Sequence, residues 1–473
     1  MFLSILCLLL FRQQKSISKT SPVLFLEDFG FQKNGIFTIN ISSSKHKQIY
    51  IAVANSYETS TIMAITMGTE TYDCSTISRL FQVNYSKTLT LNDGFGSYSE
   101  IIGYKSYYTP IFISCDNSGS YYQFSLSFLN PNSHLDYRII PCIYTKPVSS
   151  SLFGLLLVVW LINWLCNFTL KNSLHTYLTI TFVFTLLSSI ISFFEIYHNH
   201  RSDDYSTLTP VSMVFRAIQE VCLLSAMMMA AKGWCIIIDT VNWVGIFLSI
   251  VYSLIFIVPM LLIDYMYYSL YVQIGLLFVG FCGAMLYYHE LVKSIREALH
   301  VVVAHLLVIS QSGINPETTP IYAKCRMFRT ISMAVLFYFV LLMFKTIFGK
   351  TLIIPYWIII LIYDIVTLAL MTTAAWIFRL KKTTRNGYMM VADGENVPTE
   401  LNLEDIANLN ANSDEVRQGT AVWQEGMVLP PQPIIIRASR HETSITNHHG
   451  SEHDNVNRDL SVPLNQPDEK GIL

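Results

Sequence analysis

Seven long apolar stretches lie between residues 150 and 380, reading roughly 150–168, 175–197, 210–233, 241–263, 267–290, 328–348 and 353–379. Each is close to or above the roughly 20 residues that an α-helix needs to cross a hydrocarbon core of about 30 Å. A segment in lipid has to satisfy its own backbone hydrogen bonds, so such stretches predict transmembrane helices. The chain therefore reads as a multi-pass α-helical membrane protein: a seven-helix bundle over 149–380, a front domain over 19–148 and a tail over 381–473. Only 14% of the 473 residues are charged, against about 25% in soluble domains. The formal net charge of −2 points to neither a basic nor an acidic partner. No basic run with interleaved aromatics suggests nucleic acid.

The first residues bear on topology. Phe2 to Phe11 is an apolar run ahead of Arg12 and Lys15. It is too short to span and fits the core of a signal peptide over 1–18, with an uncleaved anchor as the alternative. Positive charge is distributed unevenly between the loops. Lys171, Lys232, Lys293, Arg296, Lys324, Arg326, Arg329, Arg379, Lys381, Lys382 and Arg385 fall on one side, and Arg201, Lys350 and Lys345 on the other. The positive-inside rule then places the front domain in the lumen or outside the cell and the tail in the cytosol. Asn40 and Asn84 head Asn-x-Ser patterns and become glycosylation acceptors.

Residues 19–148 carry short β-branched and aromatic runs, among them 36–41, 48–53, 61–65, 88–91, 110–114 and 121–128. Asn, Asp, Gly and Ser clusters separate them. Alternation at period two predicts an antiparallel β-sandwich. Cys74, Cys115 and Cys142 lie in this part, which allows one disulfide and one spare thiol. Cys74–Cys115 is the favoured pair, and the other pairings stay open. The stretch 291–310 has a helical pattern and should extend the fifth span into the cytosol, with Asn315-Pro316 turning the chain. From Arg379 onward the composition turns polar, which predicts a disordered tail.

Charges inside the spans mark candidate sites. Arg216 and Glu220 are four residues apart on the third span and share a face. Asp364 lies near the middle of the seventh, and Glu195 at the lumenal end of the second. In-membrane charges are costly and face the bundle or a wet cavity. Two readings stand: a polar cavity in which Arg216 anchors an anionic ligand or lipid headgroup, and an Arg–carboxylate clamp that fixes packing. Tyr388 and Val391 frame a Tyr-x-x-apolar sorting pattern for a clathrin adaptor, which would take it as an extended peptide. No metalloprotease, esterase or phosphate-loop motif occurs, and no cofactor or metal is expected.

The order of parts resembles the GOLD-domain seven-transmembrane family, which includes the lung seven-transmembrane receptor and intimal-thickness-related receptor proteins. The likeness rests on 193–200 (FFEIYHNH) at the end of the second span, 230–234 (AAKGW) at the end of the third, and Trp376 to Arg379 with Asn386 and Tyr388 at the exit of the last. The resemblance implies a non-enzymatic, Golgi-associated endomembrane protein. Its roles would be vesicle traffic, cargo handling or receptor-like signalling, and its partners a lumenal cargo protein or lipid ligand, membrane lipids and, on the cytosolic side, an adaptor or a G protein. A cell-surface orphan receptor is the alternative, and a transporter or channel through the polar cavity a third.

Overall fold

The computed structural model describes residues 23–379 apart from 27, 44–47, 67–78, 80–82, 93, 116–121, 171–172, 203–207, 235–242, 266–269 and 349–354. Beyond these it describes 400–402, 418–424, 429–430 and 433–436. The expected signal segment, Cys74, and Tyr388 and Val391 of the sorting pattern all lie outside the described residues.

The front part is built from two antiparallel sheets. One has the order β1 (Val23–Phe25), β7 (Ser106–Ser114), β4 (Gln48–Asn55), β5 (Ser86–Thr90), with β2 (Phe29–Phe31) also paired to β7; the other has the order β6 (Phe95–Ile102), β3 (Gly35–Ser43), β8 (Tyr122–Leu129). Strand β3 shows why the sheets face each other. Phe37, Ile39 and Ile41 are buried, while Thr38 and Asn40 between them point outward. They meet Ile49, Ile51 and Val53 of β4 and Phe112 of β7 in one apolar core. Side chains two apart share a strand face, so a single register buries the whole set.

Strand β4 is apolar on both faces, which a half-exposed sheet would not tolerate. Its second face, Tyr50, Ala52 and Ala54, is covered by Ile62 of helix α1 (Ser56–Thr66). The expected strand at 61–65 is therefore helical. The local cause is a reciprocal cap: Asn55 Oδ1 accepts from the Glu58 amide at 3.0 Å, and Glu58 Oε2 accepts from the Asn55 amide at 2.8 Å. This pairing launches a helix whatever the β-propensity downstream.

Among the described residues seven long helices follow: α2 (Cys142–Cys166), α3 (Ser173–Arg201), α4 (Leu208–Ala231), α5 (Trp243–Tyr265), α6 (Leu270–Gln311), α7 (Pro320–Phe348) and α8 (Tyr356–Ile377). Among the described residues, six are long and apolar enough to cross a membrane: α2, α3, α4, α5, α7 and α8. The expected seven spans are thus six by this measure. The other helix, α6, has 42 residues and is about 60 Å long, twice the hydrocarbon core. It joins the fifth apolar stretch to the amphipathic one without a break, as the pattern over 291–310 anticipated.

Sequential helices pack as neighbours, α8 returns to α2, and α4 also touches α6 and α7. The most apolar window of α4 is 72% buried against 17% for α2 and α8, so α4 is the central helix. Outward faces carry Leu155, Val158 and Ile162 on α2, Phe247 on α5, Phe278 on α6, Phe337 on α7 and Ile365 on α8, all exposed. Apolar surface of this extent is not stable in water. The chain is an integral membrane protein.

Candidate functional site in the helical bundle

Helix α2 starts at Cys142, seven residues before the expected boundary at 149. That early start brings Lys146 inside the bundle. Its Nζ donates to Asp364 Oδ1 at 2.9 Å and to Oδ2 at 2.8 Å, bridging α2 and α8. Both side chains are nearly enclosed, at 12% and 10% exposure. A charge at this depth is tolerated because the partner charge is met bidentately.

One residue before Asp364, Tyr363 donates its phenol proton to Glu220 Oε1. Tyr338 of α7 donates to Glu220 Oε2 at 3.3 Å, and the two phenol oxygens are 3.0 Å apart. Glu220 is 2% exposed. Thr367, one turn beyond Tyr363 on α8, is also buried, and its side chain lies within reach of the Tyr338 phenol. The layer thus joins α4, α7 and α8 around one carboxylate.

Glu195 lies on α3 beside Ser212 of α4, close enough to Arg216 and Lys146 for both positive charges to act on its carboxylate. Ser192 and Ser212 hydroxyls are 3.4 Å apart, and Ser150 and Ser189 hydroxyls 2.7 Å. With buried Thr181, Thr185 and Ser188, α3 presents a polar track at three- and four-residue spacing.

The four residues singled out from the sequence therefore occupy one connected region. For Glu220 and Asp364 the structure adds partners that the sequence did not point to. Glu220 is bound by two phenols rather than clamped by Arg216 alone, and Asp364 is matched by Lys146. Lys146, Tyr338, Tyr363 and Thr367 were not anticipated. Lys146 sits ahead of the apolar run and reads as a flank, while tyrosines in spans read as interfacial anchors. Their one legible signal is the adjacency of Tyr363 to Asp364. Chemically, the region offers carboxylates, phenols and an ammonium in a dry setting, fit to hold a proton, a small cation or a polar headgroup. Among the described residues, no group of three His, Cys, Asp or Glu side chains could hold a metal.

The front domain is tied to this end of the bundle. The Asp136 carboxylate accepts from the Gly30 amide at 2.8 Å and from the Arg138 amide at 2.7 Å, and Arg138 Nε reaches it at 2.8 Å. Asn130 donates to the carbonyls of Gly30 and Leu135. A side chain at position 30 would bring its Cβ within 2.4 Å of Asp136 Oδ1, so glycine is required for the close approach. This knot then touches the helices. The Trp357 amide at the start of α8 donates to Arg138 O at 3.1 Å, the His134 amide donates to His200 O at 3.2 Å, and His200 Nδ1 is 2.7 Å from Ser133 Oγ.

On the front domain, Asn40 and Asn84 are exposed. Cys115 is disulfide-bonded, while Cys142 is a buried free thiol. No protein-family model and no curated protein matches the chain.

Proposed function

We propose that this chain is a non-enzymatic, seven-pass protein of the secretory pathway, of the GOLD-domain seven-transmembrane kind, that handles cargo in Golgi and endosomal traffic. In this reading the β-sandwich is lumenal and binds a cargo protein or lipid. Helix α6 makes the fifth crossing over its first half, whose outward side carries Ile274, Phe278 and Phe281. The tail then lies in the cytosol, consistent with the charge asymmetry of the loops.

The observation that carries the reading is the seam between sandwich and bundle. Arg138 grips the base of the β-domain through Asp136 and receives the Trp357 amide, in the first turn of α8, through its carbonyl. Tyr363 and Asp364 follow Trp357 within two turns of that helix. A load on the sandwich is thereby applied directly to the helix that holds the polar layer. A loosely tethered head would have no need of this geometry.

The deciding experiment is localisation of the tagged full-length protein, alone and as Tyr388→Ala. Residence on Golgi and endosomal membranes supports the cargo reading, and redistribution of the variant to the cell surface supports the sorting motif. Steady plasma-membrane residence of the wild type, with recruitment of a G protein to the loop after α6, would replace it with the orphan-receptor reading. Charge movement in reconstituted vesicles, lost in Asp364→Asn, would replace it with a transporter or channel.

A further inference from the structure

Two described segments of the tail pack on the helices. Residues 418–424 and 429–430 lie against the end of α6 and the start of α7, on the side away from the sandwich. The cause begins in α6 itself. Its C-terminus closes with Gly313 at φ +84°, the Gly313 amide on Ser310 O and the Ile314 amide on Ile309 O. This cap turns the chain sharply and leaves the Gly313 carbonyl and the Asn315 amide available at the helix end.

The tail takes both groups. The amides of Thr420 and Ala421 donate to Gly313 O at 3.2 and 3.0 Å, and the Asn315 amide donates to Ala421 O at 2.7 Å. Ile314 and Ala421 form a parallel bridge. Alongside, the Gly419 amide donates to Ser310 Oγ and the Trp423 amide to Thr318 Oγ1, at 3.2 and 3.0 Å. Farther up α6, His305 Nε2 meets Pro430 O at 3.0 Å. Leu429 is buried with Val302, Leu306, Ile309, Ile321 and Cys325, and Trp423 packs at the margin.

We propose that this surface is a peptide-binding groove and that the chain's own tail occupies it in cis. The mode is strand addition: main-chain hydrogen bonds hold an extended peptide, and pockets read a few side chains. Three positions define the chemistry. Position 419 admits only glycine, because a Cβ there would lie 1.9 Å from Ile314 O. An aromatic follows four residues on, at Trp423, and an apolar residue ten on, at Leu429. The rest of the contact is main chain and would accept other side chains. Tethering makes the tail's binding intramolecular, so a contact of modest affinity stays filled in the isolated chain yet yields to a competitor at sufficient concentration.

The test uses the full-length protein in lipid nanodiscs and a fluorescent peptide of residues 416–432. The peptide should bind a chain truncated after residue 399, and should bind the Gly419→Val chain, at least about tenfold more tightly than wild type. The same peptide carrying valine in place of the glycine should bind none of them. Truncation leaves every groove residue intact, so it remains informative if Gly419→Val misfolds. Absence of peptide binding to the truncated chain would overturn the groove. Equal binding to wild type and truncated chains, or dimerisation of wild type through exchanged tails, would overturn occupancy in cis.

Discussion

Lys146 reaches from the first turns of α2 to both carboxylate oxygens of Asp364 on α8, at 2.9 and 2.8 Å. The pair closes the ring of helices by joining its first member to its last. It is enclosed on both sides, so each charge depends on the other.

Removing one partner of such a pair leaves a buried charge without compensation. Lys146→Met or Asp364→Leu alone should cost about 3 to 5 kcal/mol, read as a lowered unfolding midpoint in detergent. The double variant Lys146→Met with Asp364→Leu should recover most of the loss. Equal destabilisation by single and double variants would show that the pair is not the coupled unit described here.

The two phenols on Glu220 should not be equivalent. Tyr363 makes the closer contact with the carboxylate, whereas Tyr338 stands at 3.3 Å. Tyr363→Phe should cost about 1 to 3 kcal/mol, as for a buried charged acceptor deprived of a donor, and Tyr338→Phe should cost less. Reversal of that order in thermal unfolding would contradict the geometry.

His305 supplies a pH dependence for the tail contact. Burial pushes its imidazole below the ordinary value of 6.5, Lys324 on the facing helix adds to the effect, and the Pro430 carbonyl opposes it in part. Leu429 and Pro430 cover this part of α6, so release of the tail returns the imidazole to water; burial is the largest influence and outweighs the lost Pro430 carbonyl, and the released side chain gains a proton more readily. Its contribution to docking is full above about pH 6.5 and falls as pH drops below that value. Hydrogen exchange at Gly419 and Thr420 should therefore be more protected at pH 7.5 than at pH 5.5, after correction for intrinsic rates. His305→Phe should flatten the difference, and unchanged protection in the wild type would remove histidine from the account.

The seam between sandwich and bundle rests on a close approach at Gly30. Gly30→Ala places a carbon against Asp136 Oδ1 and the Tyr137 ring, at 2.4 and 2.7 Å. Something has to shift, at a cost of about 1 to 3 kcal/mol. Limited proteolysis should cut near 130–141 faster in this variant while the bundle fragment survives. Identical cleavage rates would mean that the knot does not hold the junction.

How much of this was legible depends on the range of each interaction. Strand β3 and the continuous helix α6 could be read because period two and period 3.6 are local properties of the chain. Helix α1 was misread because Thr61 to Ile65 has a strand-like composition, while the deciding signal, Asn55 with Glu58, lies a turn upstream. In the candidate site, Arg216, Glu220, Glu195 and Asp364 stood out because charge in an apolar span is conspicuous. Lys146 did not, because its place inside the bundle follows from where α2 begins.

By itself, the amino-acid order determined that this chain enters a membrane, that a β-rich domain precedes its helices, and which acids lie at bilayer depth. Hydropathy and periodicity act residue by residue and need no knowledge of distant partners. Only the tertiary structure decided that Lys146 answers Asp364, that two tyrosines hold Glu220, that Arg138 locks the sandwich to α8, and that Gly419 lies under Ile314. Each is a contact between segments far apart in sequence, chosen by the burial of polar groups that must be satisfied where the packed chain leaves them.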